Sequence, residues 1–368
     1  MADPSIMEKS WDELPDPKRV WVGKPGSREE GLGRLVLLTP ERVKDAAQTQ
    51  IQTGKRVNLG WDLTKLEYAC FGRQPCEMRI VPLLEGTAFD DIYTMNPQQS
   101  SQWDGLRHFS QPKEEGSSER VFYGGTTREE ILDRSNDRIG IHHWAREGIT
   151  GRGVLIDYVS WAEKKGIEYT TFSLHEVKLS DILEIAKECN ITFKRGDVLL
   201  VRVGVTKEWE TEMEIDAKKA YAATESPRHA GVEGNLTVLK WLWDTGFSAV
   251  AGDAISWEVG PPMLPCFAFA FSFILLQLSF LVPSPSLGQT DQGLNIESPK
   301  QVFPPSPDGI LMHEYILAGW GMPIGEMWDL ERLAETCKEL NRWTFFISST
   351  PFNMPGGISS PPNAQAIF

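Results

Sequence analysis

Two apolar runs bounded by glycines constrain the fold of this chain more than any other feature. Residues 153–159 and 196–204 are short and rich in Val, Ile and Leu, which is typical of strands buried on both faces. Between them, residues 180–189 carry apolar side chains at helical spacing, and Ser180 is the predicted N-cap. A strand, a helix and a second strand in this order indicate an α/β architecture.

Further segments continue this alternation along the chain. Residues 235–243 have helical spacing, with Asn235 as the predicted N-cap and Gly246 as the predicted end. Residues 329–340 carry the clearest amphipathic stripe. Strands are predicted at 78–84, 247–252 and 342–347, and a short helix from residue 128 to residue 132. The predicted class is therefore α/β.

The charge of the chain argues against nucleic acid as a partner. The formal net charge is −14 over 368 residues, and the sequence contains no basic run. Binding to a phosphate backbone requires clustered Lys and Arg. We therefore expect no nucleic-acid partner; the small-molecule substrate that we expect comes from the family resemblance described below.

The cysteines and the first residues bear on the compartment. The five cysteines are scattered and form no C-x-x-C pair, so we expect neither a structural zinc site nor a disulfide framework. The first ten residues are polar and lack the apolar stretch of a secretory signal. These features predict a cytoplasmic protein.

One uncharged apolar segment interrupts this pattern. Residues 266–282 carry no charge over 17 positions, at the lower limit for a membrane span, and a Pro- and Ser-rich stretch follows at 283–307. The segment has three interpretations: a membrane anchor, a buried hairpin, or an inserted stretch such as a translated intron. We favour an insert at about 261–302, because the flanking residues continue a soluble pattern, and we do not expect a membrane partner.

The densest group of chemically active side chains lies between residues 98 and 108. Gln98, Gln102, Asp104 and His108 fall within eleven positions, in a polar setting that contains a glycine. A turn capped by His108 would explain part of this pattern. Polar groups at this density also need partners, and a metal or a substrate supplies them. A later pair, His313 and Glu326, offers further ligands of the kind that divalent metals accept.

Other candidate motifs favour structural roles. The glycines at 151 and 153 lack the third glycine of a dinucleotide loop, so a turn before a strand is the simpler interpretation. His142 and His143 are adjacent and would point in different directions, so we expect them to pack rather than share a metal. His175 and His229 lie in polar segments and are also assigned structural roles.

The segment around Asp104 resembles the metal motif of the cyclase superfamily, which includes bacterial kynurenine formamidase, isatin hydrolase and dienelactone-type hydrolases. The family signature is His-x-Gly-Thr-His-x-Asp-x-x-x-His. On this sequence it places Asp104 on a metal ligand and His108 on the catalytic histidine, and His313 and Glu326 match the later His and Glu of the metal shell. The resemblance runs from Met78 to the C-terminus, without the insert.

The resemblance implies an architecture and a domain division. The implied fold is α/β, with a cyclase-like mixed sheet or β-barrel core and flanking helices. Residues 1–75 would form an N-terminal wrapping segment and residues 76–368 the cyclase-like domain. The C-terminal tail and the Gln-Trp-Asp-Gly variant at 102–105 are similar to a fungal branch associated with secondary metabolism.

The chain departs from the family signature at two of its histidines, which are Gln98 and Gln102 here. An amide oxygen in place of an imidazole nitrogen should lower the affinity for zinc and favour harder ions such as Mn²⁺ or Mg²⁺. The cofactor that the resemblance implies is a divalent metal, Mn²⁺ or Zn²⁺, with Mg²⁺ as a further option. The implied activity is hydrolysis, or the reverse ring closure, of a cyclic or aryl amide or a lactone. The alternative is a cyclase-fold protein that has lost catalysis and binds a small metabolite or a partner. The resemblance also implies a homo-oligomer.

Overall fold

The computed structural model describes residues 3–224, 226–260 and 310–368. The insert expected at 261–302 and its apolar run at 266–282 lie outside these described residues. The strands are β1 (Arg56–Asn58), β2 (Glu77–Leu83), β3 (Ala88–Thr94), β4 (Gln102–Asp104), β5 (Gln111–Pro112), β6 (Arg120–Val121), β7 (Ile149–Asp157), β8 (Glu176–Val177), β9 (Val198–Arg202), β10 (Gly231–Val232), β11 (Ala249–Gly252), β12 (Ile324–Glu326), β13 (Thr344–Ser349), β14 (Ser359–Ser360) and β15 (Ala364–Ile367).

The helices between these strands vary from one turn to three. The α-helices are α1 (Arg28–Leu32), α2 (Pro40–Gln50), α3 (Arg128–Leu132), α4 (His142–Glu147), α5 (Tyr158–Lys165), α6 (Leu179–Glu188), α7 (Val205–Thr211), α8 (Ile215–Ala222), α9 (Leu236–Thr245) and α10 (Glu331–Leu340). A short π-helix covers Glu314–Gly319. Across 3–224, 226–260 and 310–368, no helix combines the length and apolar character that crossing a membrane requires.

A large mixed sheet forms the centre of the molecule. Among the described residues, nine strands pair in the order β1-β15-β13-β7-β9-β11-β12-β4-β14. The pairs β7–β9, β9–β11 and β11–β12 are parallel, whereas the pairs towards both edges are antiparallel. Helices cover the sheet, for example α2 against β7 and β13. This arrangement confirms the predicted α/β class with a mixed sheet and flanking helices.

The two apolar runs form buried strands, as predicted, and they are neighbours in the sheet, but the ends of the first strand differ from the prediction. The first strand begins at Ile149 and ends at Asp157, so Tyr158 and Val159 belong to the following helix and not to the strand. Asp157 explains the boundary because its carboxylate accepts a hydrogen bond from the Ser160 N–H and caps α5. The second strand, β9, is buried at every position.

The predicted N-cap at Ser180 is wrong. Helix α6 begins at Leu179, and Lys178 occupies the N-cap position without a side-chain cap bond. The N–H of Leu179 donates instead to Glu233 Oε1 at 2.7 Å. A carboxylate 54 positions away thus replaces the local N-cap. Such a long-range contact cannot be predicted from the spacing of residues within the helix.

The other predicted helices and strands are present with small shifts at their ends. Asn235 Oδ1 accepts the Val238 N–H at 2.9 Å, and α9 ends at Gly246 with φ +80°. Both features match the predicted cap and stop. Helix α10 starts two residues later than predicted, and β13 is shifted by two residues relative to the predicted 342–347.

The N-terminal residues pack directly on this sheet. Strand β1 pairs with β15 at the sheet edge. Arg34 is completely buried, donates to the carbonyls of Phe247 and Trp243 at 2.6 and 3.0 Å, and stacks on the Trp243 ring. These contacts attach the N-terminal residues to the sheet and its helices. The domain boundary at residue 75 stays a prediction.

Candidate metal centre

The candidate centre is built on two short antiparallel strands. Gln102 and Asp104 are alternate residues of β4, so their side chains point to the same face. The register places Glu326 of β12 opposite Gln102 and Ile324 opposite Asp104. Glu326 therefore projects to the same face as Asp104, although the two residues are far apart in the sequence.

Trp103 points away from this face and into the core. It is completely buried, packs edge-on against Trp328 at 4.8 Å between ring centroids, and donates to Ser349 Oγ at 2.8 Å. Trp103 is therefore a core residue and does not face the side chains of the candidate centre. The alternation of side chains along a strand is the physical reason.

His313 reaches the two carboxylates from a different element. It lies at the start of the π-helix, a type of helix that is common at functional sites. Its Nε2 atom is 3.3 Å from Glu326 Oε1 and 3.9 Å from Asp104 Oδ2. Its Nδ1 atom is 2.7 Å from Glu258 Oε1, and this contact fixes the orientation of the ring.

The atoms that remain without partners converge on one point. Asp104 Oδ2 and Glu326 Oε1 are buried and lack a hydrogen-bond partner, and one ligand atom from each of Asp104, His313 and Glu326 lies within 4.8 Å of the others. Buried carboxylate oxygens without partners are costly unless a cation or a proton compensates them. This donor set, two carboxylates and one imidazole, fits a divalent metal ion.

The two glutamines contact the same carboxylates through their amide nitrogens. Gln102 Nε2 donates to Asp104 Oδ1 at 3.0 Å and to Glu326 Oε2 at 2.6 Å, and Gln98 Nε2 donates to Asp104 Oδ1 at 2.7 Å. The amide oxygen of Gln102 is turned towards Arg73 Nη1, 3.4 Å away. Since a metal would bind the oxygen of an amide, a ligand role for these two residues stays a prediction.

His108 lies beside this group at the cavity surface. Its Nε2 atom is 3.6 Å from Asp104 Oδ2, and its Nδ1 atom is 3.1 Å from Gln98 Nε2. About a quarter of its side chain is exposed, at 23%, whereas that of Asp104 is 1% exposed. Of the two imidazoles beside Asp104, that of His108 is therefore more accessible to a ligand than that of His313.

The charges in this group shift one another's protonation. Burial by itself would raise the pKa of Asp104, but the charges of His108 and His313 outweigh it and lower this pKa to about 2. Burial and the nearby Asp104 raise the pKa of Glu326 to about 7. Burial opposes a charge on His313, yet its three carboxylate neighbours hold its pKa well above the ordinary value. Burial lowers the pKa of His108, which favours the neutral form that accepts a proton.

A cavity of about 310 Å³ opens beside these residues, a volume at the lower end of the range for small-molecule sites. Most of the surface that its described lining exposes to the cavity is apolar, with Phe71, Phe109, Ile255 and Leu311 among the apolar residues. The polar residues of the lining are Arg73, His108, Ser226, His229, Ser256, Glu258, His313 and Glu326.

Sequence reasoning missed several of these polar residues, among them His229, Glu258 and Arg73. His229 was assigned a structural role in a polar loop, but it is 4% exposed and forms part of the cavity wall. Glu258 and Arg73 were not singled out, because no recognisable spacing links them to the other site residues. By contrast, His142, His143 and His175 are absent from the described lining, and the rings of His142 and His143 pack on each other at 4.2 Å.

The comparisons with known proteins agree with this architecture. A sequence profile described as "putative cyclase" matches residues 57–259. The crystal structure of a novel cyclase is similar with a TM-score of 0.69 and 23% identity, over 93% of this chain and 97% of that one. Isatin hydrolase A from Ralstonia solanacearum has a TM-score of 0.51 and 12% identity, over 85% and 91% of the two chains.

A second isatin hydrolase A, from Labrenzia aggregata and bound to benzyl benzoate, also has a TM-score of 0.51 and 12% identity, over 89% of this chain and 97% of that one. At these identities the likeness establishes the fold and not the substrate. No curated protein sequence matches the chain.

Proposed function

Since the chain belongs to the putative cyclase family, we propose that it is a hydrolase or cyclase acting on a small cyclic or aryl amide or a lactone. The observation that carries the proposal is the meeting of Asp104 Oδ2, Glu326 Oε1 and His313 Nε2, two of them without partners, beside a cavity of about 310 Å³. Fold similarity to the isatin hydrolases supports the substrate class by analogy only.

Asp104, His313 and Glu326 would hold a divalent ion, expected to be Mn²⁺ or Zn²⁺. When bound, such an ion supplies Lewis acidity that polarises a carbonyl and eases the deprotonation of water. Glu258 positions His313 by accepting from its Nδ1 atom, and Gln102 holds both carboxylates by donating to one oxygen of each.

His108 is proposed as the general base and acid. Its neutral imidazole takes a proton from the attacking water and returns it to the leaving nitrogen or oxygen. The nearby Asp104 carboxylate, 3.6 Å from His108 Nε2, stabilises the imidazolium that forms during this transfer. Phe109, 5.3 Å from the His313 ring between centroids, helps to exclude water from the reacting groups.

The test is hydrolysis by the purified full-length chain, with and without added Mn²⁺, Zn²⁺ or Mg²⁺. Suitable probes are isatin, an aryl formamide and dihydrocoumarin. We expect His108→Ala to lower turnover by about 10²- to 10⁴-fold, because it removes the proton-transfer group, while the bound metal remains. The control is His175→Ala, a histidine outside the cavity that stacks on Tyr169. Undiminished turnover in His108→Ala would exclude this residue from the mechanism.

A second candidate function is favoured by the glutamines. Gln102 Nε2 bridges one oxygen of each carboxylate, and an amide donor in this position compensates part of the charge that a metal would neutralise. In that case the protein would bind a small metabolite in the same cavity without catalysis. Elemental analysis decides between the two: a stoichiometric divalent metal supports the hydrolase, and a metal-free protein that binds the probes without turnover supports the binder.

A further inference from the structure

His229 and Ser256 form a hydrogen-bonded pair in the wall of the cavity, outside the metal group. His229 Nε2 contacts Ser256 Oγ, and both residues line the cavity. Two backbone hydrogen bonds hold His229 against Gly260, from the His229 N–H at 2.7 Å and from the Gly260 N–H at 3.1 Å. A Cβ atom at position 260 would lie only 2.8 Å from His229 Nε2, so glycine makes room for the ring.

The other ring nitrogen determines which atom of this pair carries the hydrogen. His229 Nδ1 is 3.0 Å from the carbonyl oxygen of Pro227, which can only accept. The hydrogen of a neutral imidazole must therefore be on Nδ1, and Nε2 is an acceptor. Burial lowers the pKa of His229 to about 4, which favours this neutral form.

The hydroxyl of Ser256 then has no hydrogen left for a ligand. The hydroxyl of Ser256 donates its one hydrogen to His229 Nε2. His229 Nε2 carries no hydrogen, so Ser256 Oγ is the only possible donor in this contact. The competing acceptor, the carbonyl of Glu258, is further away at 3.3 Å. Towards a ligand in the cavity, Ser256 Oγ can therefore accept a hydrogen bond but cannot donate one.

We propose that the Ser256–His229 pair is a specificity element that accepts a hydrogen bond from an N–H of the cavity's ligand and so selects amides over esters. A lactone or ester places an oxygen where the amide has its N–H, and two acceptors facing each other repel. The inference rests on the proposed function, because it takes the ligand of this cavity to be the substrate.

The segment that carries Ser256 also links this pair to the metal group. Glu258, two residues later, contacts His313 Nδ1 at 2.7 Å and accepts the Met312 N–H at 2.6 Å. The acceptor on Ser256 and the imidazole of His313 therefore belong to one connected wall of the same cavity. A small cyclic amide that enters this cavity meets both groups.

The test compares the binding of oxindole, a lactam with a free N–H, with that of 2-coumaranone, the lactone of the same shape. Calorimetry on the full-length chain should show about tenfold or greater preference for oxindole in the wild type. Ser256→Ala should reduce the preference to near unity. Ser256→Thr, which keeps a hydroxyl, should retain it. His229→Ala should weaken it, because the freed hydroxyl hydrogen can then donate to the lactone.

Equal preference in wild type and Ser256→Ala would overturn the proposal, as would tighter binding of the lactone by the wild type. A covalent acyl adduct on Ser256, seen by mass spectrometry during turnover, would also overturn it, because the hydroxyl would then be a nucleophile. Turnover is measured in parallel. A wild type that turns over substrate but binds oxindole and 2-coumaranone equally well refutes this inference alone, whereas a wild type that shows the preference but has no turnover with any metal refutes the proposed hydrolase.

Discussion

At the scale of single residues, the candidate centre places two carboxylates side by side in a buried environment. Asp104 and Glu326 repel each other, which contributes to the raised pKa of Glu326. Gln102 relieves part of this repulsion by donating to one oxygen of each carboxylate. The remaining oxygens, Asp104 Oδ2 and Glu326 Oε1, face His313. The same side chains thus have one satisfied oxygen each and one oxygen available to a ligand.

Replacing the glutamines by histidines should strengthen metal binding. In a Gln98→His, Gln102→His variant, two imidazoles would add nitrogen ligands beside Asp104 and remove the competing amide donors. We expect zinc affinity to rise by about 10- to 100-fold, measured by competition with a chelator. Gln74→His, on the exposed surface, is the matched control and should leave the affinity unchanged. No gain in the double variant would contradict a metal centre at this position.

Asp253 should make the stability of the protein fall as the pH rises. Its carboxylate is buried, and burial raises its pKa to about 7, although it accepts the N–H groups of Val203 and Gly204 at 2.5 and 2.6 Å. Between the ordinary value of about 3.8 and pH 7, the folded state holds more protons than the unfolded state. Stability contributed by protonated Asp253 is therefore lost as the pH rises through this window.

Denaturant unfolding between pH 4 and pH 7 measures this effect as the difference between wild type and Asp253→Asn. As the pH rises, the free energy of unfolding of the wild type should fall relative to that of Asp253→Asn by up to about 1.4 kcal/mol per pH unit. Asp133→Asn is the control: hydrogen bonds from Ser135 lower the pKa of Asp133 below its ordinary value of 3.8, so its carboxylate is ionised in both states over most of this range and the difference should stay nearly constant. A pH-independent difference for Asp253→Asn would show that its carboxyl does not titrate in this range.

At the scale of elements, the centre depends on the close approach of β4 and β14. Asp104 pairs with Ser359, and the next residue, Gly105, donates its N–H to the Ile358 carbonyl at 3.0 Å. A Cβ atom at position 105 would meet the Ile358 carbonyl oxygen at a distance too short for any real contact. Only glycine allows the two backbones to lie this close.

Gly105→Ala should therefore disturb both the fold and the site. We expect the free energy of unfolding to fall by about 1 to 3 kcal/mol, as for other overpacked positions, because β14 must move away from Asp104. Urea unfolding measures this loss, and elemental analysis should show less bound metal. Gly60→Ala is the matched control, since the atoms nearest its Cβ position are at least 3.7 Å away. Equal stability of the two variants would contradict the close approach.

The elements that sequence patterns predicted well are those whose ends are set locally. Helix α9 has its cap, Asn235, and its stop, Gly246, within its own segment, so both are visible in the sequence. Helix α6 has its first N–H satisfied by Glu233 from another segment, so the local candidate Ser180 was misleading. The fold class followed from local periodicity, whereas the sheet order required long-range pairing.

At the scale of the whole molecule, the hairpin formed by β2 and β3 exposes an apolar face. Met78, Ile80, Phe89 and Tyr93 lie on the same face, and each is more than half exposed, with values from 52% to 64%. Asp91, opposite Ile80, is the charged residue of this face, and its carboxylate accepts the hydroxyl of Tyr93 at 2.7 Å. Exposed apolar faces of this kind are typical of contact surfaces. We propose that this face contacts a second copy of the chain in a homo-oligomer, since a two-fold axis would place the same face against itself.

Ile80→Asp should shift the protein towards a monomer, because it places a charge in the proposed contact. Sedimentation equilibrium of the full-length chain measures the change, and we expect the dissociation constant to rise at least tenfold. Leu132→Asp, at an exposed position on α3, is the control and should leave the oligomer intact. A wild-type protein that is monomeric at all concentrations would remove this proposal.

Sequence patterns were sufficient to predict the α/β class, the helices with local caps, and Asp104, His108, His313 and Glu326 as candidates. These depend on periodicity and residue chemistry, which are readable over a few turns or strands. Which atoms of these side chains are in contact became known from the folded chain alone. The bond from Gln102 to Glu326 spans 224 positions, and the contact of His229 with Ser256 spans 27. Such contacts depend on strand register and on the paths of distant segments, and no local pattern encodes either.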